Sequence, residues 1–280
     1  MNHFLHPLVN ELLQFWDPSC YFSHTATCPA GCLVHYVLIP LICDVPALRK
    51  VASFMGHSGH SFCSFCCLQD SDITNFDEHV RLATMWWDAP TENLDIMKYT
   101  ILDAMHNLFL GDLKRHLVNI WRMTSTAGKT PKGMIDMNQT MLPSWMAQAP
   151  CNLGSPNQGY VKADQWQTAC EVNLVIMFVW LWGRLGSKQA HRAYLANFLA
   201  LVMAVHWATK QSTSELHMKL YLHSLVRLFP LSVLKPNHHL SLHLVECMRL
   251  FGPTHGWWAF PFEPYNGILG SANTNGKEGV

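Results

Sequence analysis

The chain is short of charge. Of its 280 residues, 14% are Asp, Glu, Lys or Arg, and 19 acidic side chains balance 19 basic ones. A free-standing nucleic-acid binder carries a basic excess that draws it to phosphates, so any DNA affinity here is expected to be local or borrowed. Long apolar runs are missing too: the longest, Leu174 to Trp182, stops far short of the roughly 20 residues of a bilayer span. Met1-Asn2-His3-Phe4-Leu5-His6-Pro7 holds neither a basic leader followed by an apolar stretch nor a small-residue cleavage site, so secretion is not expected. There is no internal repeat, no His-Glu-x-x-His hydrolase pattern and no second Cys-x-x-Cys. The expectation is a soluble, intracellular chain.

What is present is apolar residues, thiols and imidazoles: 49% hydrophobic, ten cysteines and 17 histidines. That hydrophobic share supports a real core. Without secretory signals, the cysteines read as thiols or metal ligands rather than a disulfide framework.

Along the chain, Asn2 to Trp16 has the apolar spacing of an amphipathic helix. Val34 to Cys43 reads as one strand buried on both faces, although Pro40 inside it favours an edge or a bulge. A helix is predicted from Pro46 to about Met55. Residues 56–98 lack periodicity and read as a long loop or small subdomain, and Tyr99 to Leu102 as a short strand. Helical periodicity covers Met105 to Trp121, then about 163–184, 188–209, 213–229 and 235–250, with a Gly/Pro/Ser/Asn-rich loop over 125–159.

Cys63-x-x-Cys66 is half of a tetrahedral zinc site, because two thiolates at that spacing wrap one metal through a tight turn. His57 and His60 upstream could complete it; free thiols in a loop are the alternative, and Cys67 reads as a bystander. Asp44, at the end of a strand and before Val45-Pro46, suits a metal ligand, but by spacing alone it reads as a helix N-cap. Asp103 and His106 likewise read as a cap and a first-turn residue. Glu263, between prolines, suits the positive end of a helix. His239 and His243 stand four apart on a predicted helix. Chance pairs are expected among so many histidines, so they read as surface or packing, with a metal hydrolase built on them as a competing reading. The Trp86-Trp87 and Trp257-Trp258 pairs read as packing rather than base-stacking platforms.

In order along the chain stand Asn2-His3-Phe4-Leu5 with Pro7-Leu8-Val9, Leu41-Ile42-Cys43-Asp44-Val45-Pro46-Ala47, His57 with Phe62-Cys63-Ser64-Phe65-Cys66, Asp103-Ala104-Met105-His106-Asn107-Leu108-Phe109-Leu110-Gly111, Lys162-Ala163-Asp164-Gln165-Trp166 and Phe260-Pro261-Phe262-Glu263. Together they resemble the transposases of CACTA-type DNA transposons of mushroom-forming fungi. The resemblance covers nearly the whole chain and implies an α/β fold, helix-dominated overall, with an incomplete ribonuclease-H-like core and a large, mainly helical insertion. Residues 1–56 would be partial core, 57–98 a Cys/His zinc-knot-like loop, 99–111 a core strand and turn, 112–255 the helical insertion, and 256–280 a terminal core helix with a polar tail.

The implied activity is DNA strand cleavage and transfer with Mg2+ or Mn2+, Asp44 being the second and Glu263 the third of three acids. Cys63, Cys66, His57 and His106 would belong to the insertion as candidate zinc ligands. Implied partners are transposon-end DNA, further copies of the chain or a full-length transposase, with no membrane, and the implied location is nuclear. The family's first acid lies in an Asp-Gly-Phe segment that occurs nowhere here, and Pro264 stands where the family usually has Arg. The expectation is therefore an N-terminally truncated transposase fragment that is inactive alone. The alternative is a non-catalytic zinc-binding interaction protein.

Overall fold

The computed structural model describes residues 19–34, 41–51, 59–63, 65–66, 68–85, 100–123, 141–144, 161–209, 215–230 and 234–265, with isolated positions outside these runs. Most of the predicted helix Asn2 to Trp16, together with His57, Cys67, Trp86 and Trp87, lies outside the described residues.

Helices dominate. Strands β1 (Cys20–Phe22) and β2 (Cys32–Val34) pair antiparallel, with Cys20 opposite Val34. Strands β3 (Leu41–Cys43) and β4 (Thr100–Leu102) pair parallel, with Cys43 opposite Leu102. Of the single strand predicted over Val34 to Cys43, Val34 belongs to β2 and Leu41–Cys43 form β3, which pair with different strands, while residues 35–40 lie outside the described residues. β3 is half-buried rather than covered on both faces, whereas β4 is fully buried.

Because β3 and β4 are in register, the residues that follow them, Asp44 and Asp103, leave the pair side by side at its carboxyl end. Asp44 starts helix α1 (Val45–Val51), with its Oδ1 accepting the Ala47 N–H at 2.8 Å. The aperiodic stretch read as loop contains helix α2 (Phe76–Met85), whose Asn75 Oδ1 accepts the Glu78 N–H at 3.3 Å. Its mixed composition hides the face that buries His79.

Asp103 starts helix α3, which is wound in wide turns over Met105–Leu113 and again over His116–Ile120, where the Trp121 N–H reaches the His116 carbonyl at 2.9 Å. Helix α4 runs through Ala163–Thr168, a wide turn at Ala169–Asn173 and Leu174–Trp182. Helices α5 (Gln189–Thr209), α6 (Glu215–Leu228) and α7 (Pro236–Phe251) follow close to their predicted positions.

Helix α7 is the axis of the molecule. It packs on α2, α3, α6 and β4, so every residue from His238 to Cys247 is buried. Pro236 occupies its first turn, where no N–H is required. Gly252 ends it at φ +80°, in the left-handed region, and returns its N–H to the Met248 carbonyl at 3.0 Å. At Gly111, α3 comes so near α7 that a Cβ would meet the Asn237 Nδ2 at 2.2 Å. Trp257 is buried and donates to the Gly252 carbonyl at 2.9 Å, which is the packing role predicted for it. Among the described residues no helix is long and apolar enough to cross a membrane.

Candidate metal centre

A helix buried on all sides must find partners for its polar side chains inside the protein. On one face of α7, His239 and His243 are one turn apart and fully buried. They meet Cys63 and Cys66: Cys63 Sγ lies 3.4 Å from His243 Nε2, Cys66 Sγ lies 3.1 Å from His239 Nε2, and the two Nε2 atoms are 3.1 Å apart. One ligand atom from each of the four residues falls within 4.8 Å of the others. Zinc bonds of about 2.3 Å to sulfur and about 2.05 Å to nitrogen give tetrahedral edges of about 3.6 Å (S to N) and about 3.3 Å (N to N). The observed edges are close to these, and two thiolates with two imidazoles are a donor set suited to Zn2+.

The chain builds the centre from two half-sites. The Cys-x-x-Cys turn is tightened by the Phe65 N–H pointing at Cys63 Sγ, 3.3 Å away. Phe65 stacks on His243 at 5.3 Å between centroids and Phe62 meets His239 edge-on at 5.7 Å, so aromatic faces wall the site off. Burial pushes the Cys63 thiol up, but the Cys66 hydrogen bond, the Phe65 and Cys66 backbone and the Arg49 charge bring it below the ordinary thiol range. Cys66 is raised, first by its hydrogen bond to Cys63 and then by burial. Burial lowers His239, so its ring is neutral and has a lone pair to offer. Of the two thiols Cys63 is thus the one that gives up its proton more readily, and it shares the site with a His239 ring that a metal ligates without first removing a proton. With all four side chains as ligands a tetrahedral ion would keep no open position, which is the pattern of structural rather than hydrolytic sites.

Of the histidines predicted to complete the thiol pair, His60 is exposed and His106 lies at the other site, while His57 lies outside the described residues. Likewise, the surface reading of His239 and His243 is overturned, because α7 is covered all round. Cys-x-x-Cys and His-x-x-x-His were both visible as unmatched halves, and that shared incompleteness was the signal for joining them.

The second site is at the carboxyl end of the β3–β4 pair. Asp103 is 1% exposed and saturated with donors. Its Oδ1 accepts the N–H of Met105 at 3.3 Å and of Ala259 at 2.8 Å, while its Oδ2 accepts the His106 N–H at 3.0 Å and faces His106 Nδ1 at 2.5 Å. The other ring nitrogen, Nε2, lies 3.5 Å from Glu263 Oε1. Glu263 follows a turn closed by the Phe262 N–H on the Ala259 carbonyl at 2.9 Å. His106 is pushed above the usual imidazole range, first by the Asp103 hydrogen bond, against burial, and then by the charges of Asp103, Asp44 and Glu263. Cys43, beside the same acids, is pushed up to about 12, by burial first and then by Asp44 and Asp103. Asp103 and Glu263 therefore flank one imidazole, and Asp44, at the end of the neighbouring strand, acts on it through its charge.

No protein-family model, curated protein or solved structure matches this chain.

Proposed function

We propose that this chain is a zinc-stiffened part of a ribonuclease-H-like DNA transposase, in which Asp44 and Glu263 hold a divalent cation at the carboxyl end of the β3–β4 pair. The observation behind the reading is that Glu263 meets His106 at 3.5 Å while Asp44, leaving the strand pair beside Asp103, raises the same imidazole by its charge. The donor chemistry supports it. Carboxylate oxygens are hard ligands suited to Mg2+ or Mn2+, whereas the Cys63 site suits zinc. Asp103 is taken up by its four donors and serves the backbone rather than the ion. When bound in such sites, the cation activates a water or 3′-hydroxyl and stabilises the leaving oxygen. The protein's own part is to aim the two carboxylates and, through the zinc centre, to hold α7 against β4.

The first acid of such a set belongs to an Asp-Gly-Phe segment, and these residues contain none. They are therefore expected to bind the ion without cutting DNA. A Mn2+ titration, read from the spectrum of the free ion, tests the first part: Asp44→Ala and Glu263→Ala should each weaken binding at least tenfold. Wild-type protein that binds no Mn2+ would sink the reading. A supercoiled-plasmid nicking assay tests the second part, and robust nicking lost in Asp44→Ala would overturn it. The closed Cys2His2 centre and the balance of charges favour a second reading, a non-catalytic zinc-bearing interaction protein. Zinc binding without Mn2+ binding would select it.

A further inference from the structure

We infer that His106 is the positioning residue for Glu263, and that it works by carrying the fixed geometry of Asp103 out to an exposed carboxylate. Glu263 needs such help. Its side chain is 53% exposed, it sits on a short turn between prolines, and its recorded ion pair is with His106. A glutamate in that setting samples several rotamers, and each loosens its grip on a ligand. Asp103, in contrast, is buried and held from four directions. It reaches Glu263 along two routes: through its bond to the Ala259 N–H, which pins the start of the turn, and through the His106 ring, whose far nitrogen faces the Glu263 carboxylate. The ring is rigid and bonded at one edge, so the position of its other edge is set by the strand end and not by solvent.

This is the arrangement that orients ligands around metal ions, where an imidazole or carboxylate behind the ligand typically changes affinity by about 10- to 100-fold. His106 therefore acts through Glu263 and stands apart from the candidate zinc centre, for which the family resemblance had implied it as a ligand.

The inference rests on the cation reading above, and the test separates the two. Mn2+ affinity is measured for wild type, His106→Ala and His106→Gln, with zinc content and melting temperature followed in each. His106→Ala is expected to weaken Mn2+ binding about tenfold while zinc content stays at the wild-type level. His106→Gln, whose amide NH2 reaches about as far as Nε2, is expected to recover most of the loss. If wild type binds Mn2+ and His106→Ala binds it equally well, the positioning role is wrong and the cation reading stands. If both variants lose binding equally although the Gln variant melts like wild type, the role is wrong in a different way, the ring itself being a ligand. Absence of Mn2+ binding by wild type removes both.

Discussion

Burying an imidazole without a partner costs on the order of 1–3 kcal/mol, so His239 and His243 in the covered core of α7 have to be explained by what they face. They face thiols, and the explanation is testable one residue at a time. Cys63→Ser and His243→Ala belong to opposite half-sites, yet each is expected to release the same single zinc ion. Metal analysis should show about one zinc per chain in wild type and a small fraction of that in either variant. Metal release should also lower the melting temperature by about 10 °C, since structural zinc sites stabilise folding by many kcal/mol and each kcal/mol is worth about 2–4 °C at this size. Zinc lost from Cys63→Ser but kept by His243→Ala would divide the centre.

The residues themselves were partly legible. The spacing of Cys63 and Cys66 announces a metal half-site, and Asp44 and Asp103 behave as the helix caps that their local sequence predicts. What could not be read was the pairing of halves separated by well over a hundred residues, because local spacing carries no information about which helix packs on which loop.

At the level of elements, apolar periodicity located α3 to α7 closely, since each buries a broad stripe. It failed for α2, where charged residues interrupt the pattern, and for the stretch ending in β3, where apolar continuity did not reveal the change of partner. Between α3 and α7 lies a polar seam that periodicity cannot show either. Asn107 Nδ2 donates to Ser241 Oγ at 2.5 Å, Ser241 donates to Asp112 Oδ2 at 2.5 Å, and the Lys235 N–H donates to His238 Nδ1 at 3.1 Å. Asn107, Asp112, His238 and Ser241 are buried, and burial pushes the Asp112 carboxyl up to about 7 despite the Ser241 bond. Ser241→Ala removes a partner from both Asn107 and Asp112. It is expected to lower unfolding stability by about 2 kcal/mol, read as a shift of the urea midpoint. An unchanged midpoint would mean that the seam is solvated rather than sealed.

For the molecule as a whole, the buried histidines set its response to acid. Burial holds His116 and His238 down at about 3 and His79 at about 4, each from an ordinary 6.5. The unfolded chain binds these protons below pH 6.5 and the folded chain does not. Stability is therefore complete above 6.5 and falls as pH drops toward the folded values. At pH 5 each of the three costs about 2 kcal/mol. Asp112 works in the opposite direction: raised when folded, it takes up its proton below pH 7 and returns roughly 2–3 kcal/mol over the same interval. The net expectation is a loss of a few kcal/mol between pH 7 and pH 5, measured by urea unfolding at both. His116→Phe keeps an aromatic ring among Trp121, Phe198 and Phe229 and should shrink that loss by about 2 kcal/mol. An equal loss in the variant would place the acid sensitivity elsewhere.

The distance along the chain between the two halves of the candidate metal centre also has a meaning in time. Cys66 and His239 are 173 residues apart, and a ribosome adding roughly 5–20 residues per second needs about 10–35 s to cover that interval. Newly made thiols thus leave the exit tunnel long before their imidazole partners exist. For that period they are open to oxidation or to capture by other metals, and an ion held by all four side chains could complete its ligand set only after His243 had been made.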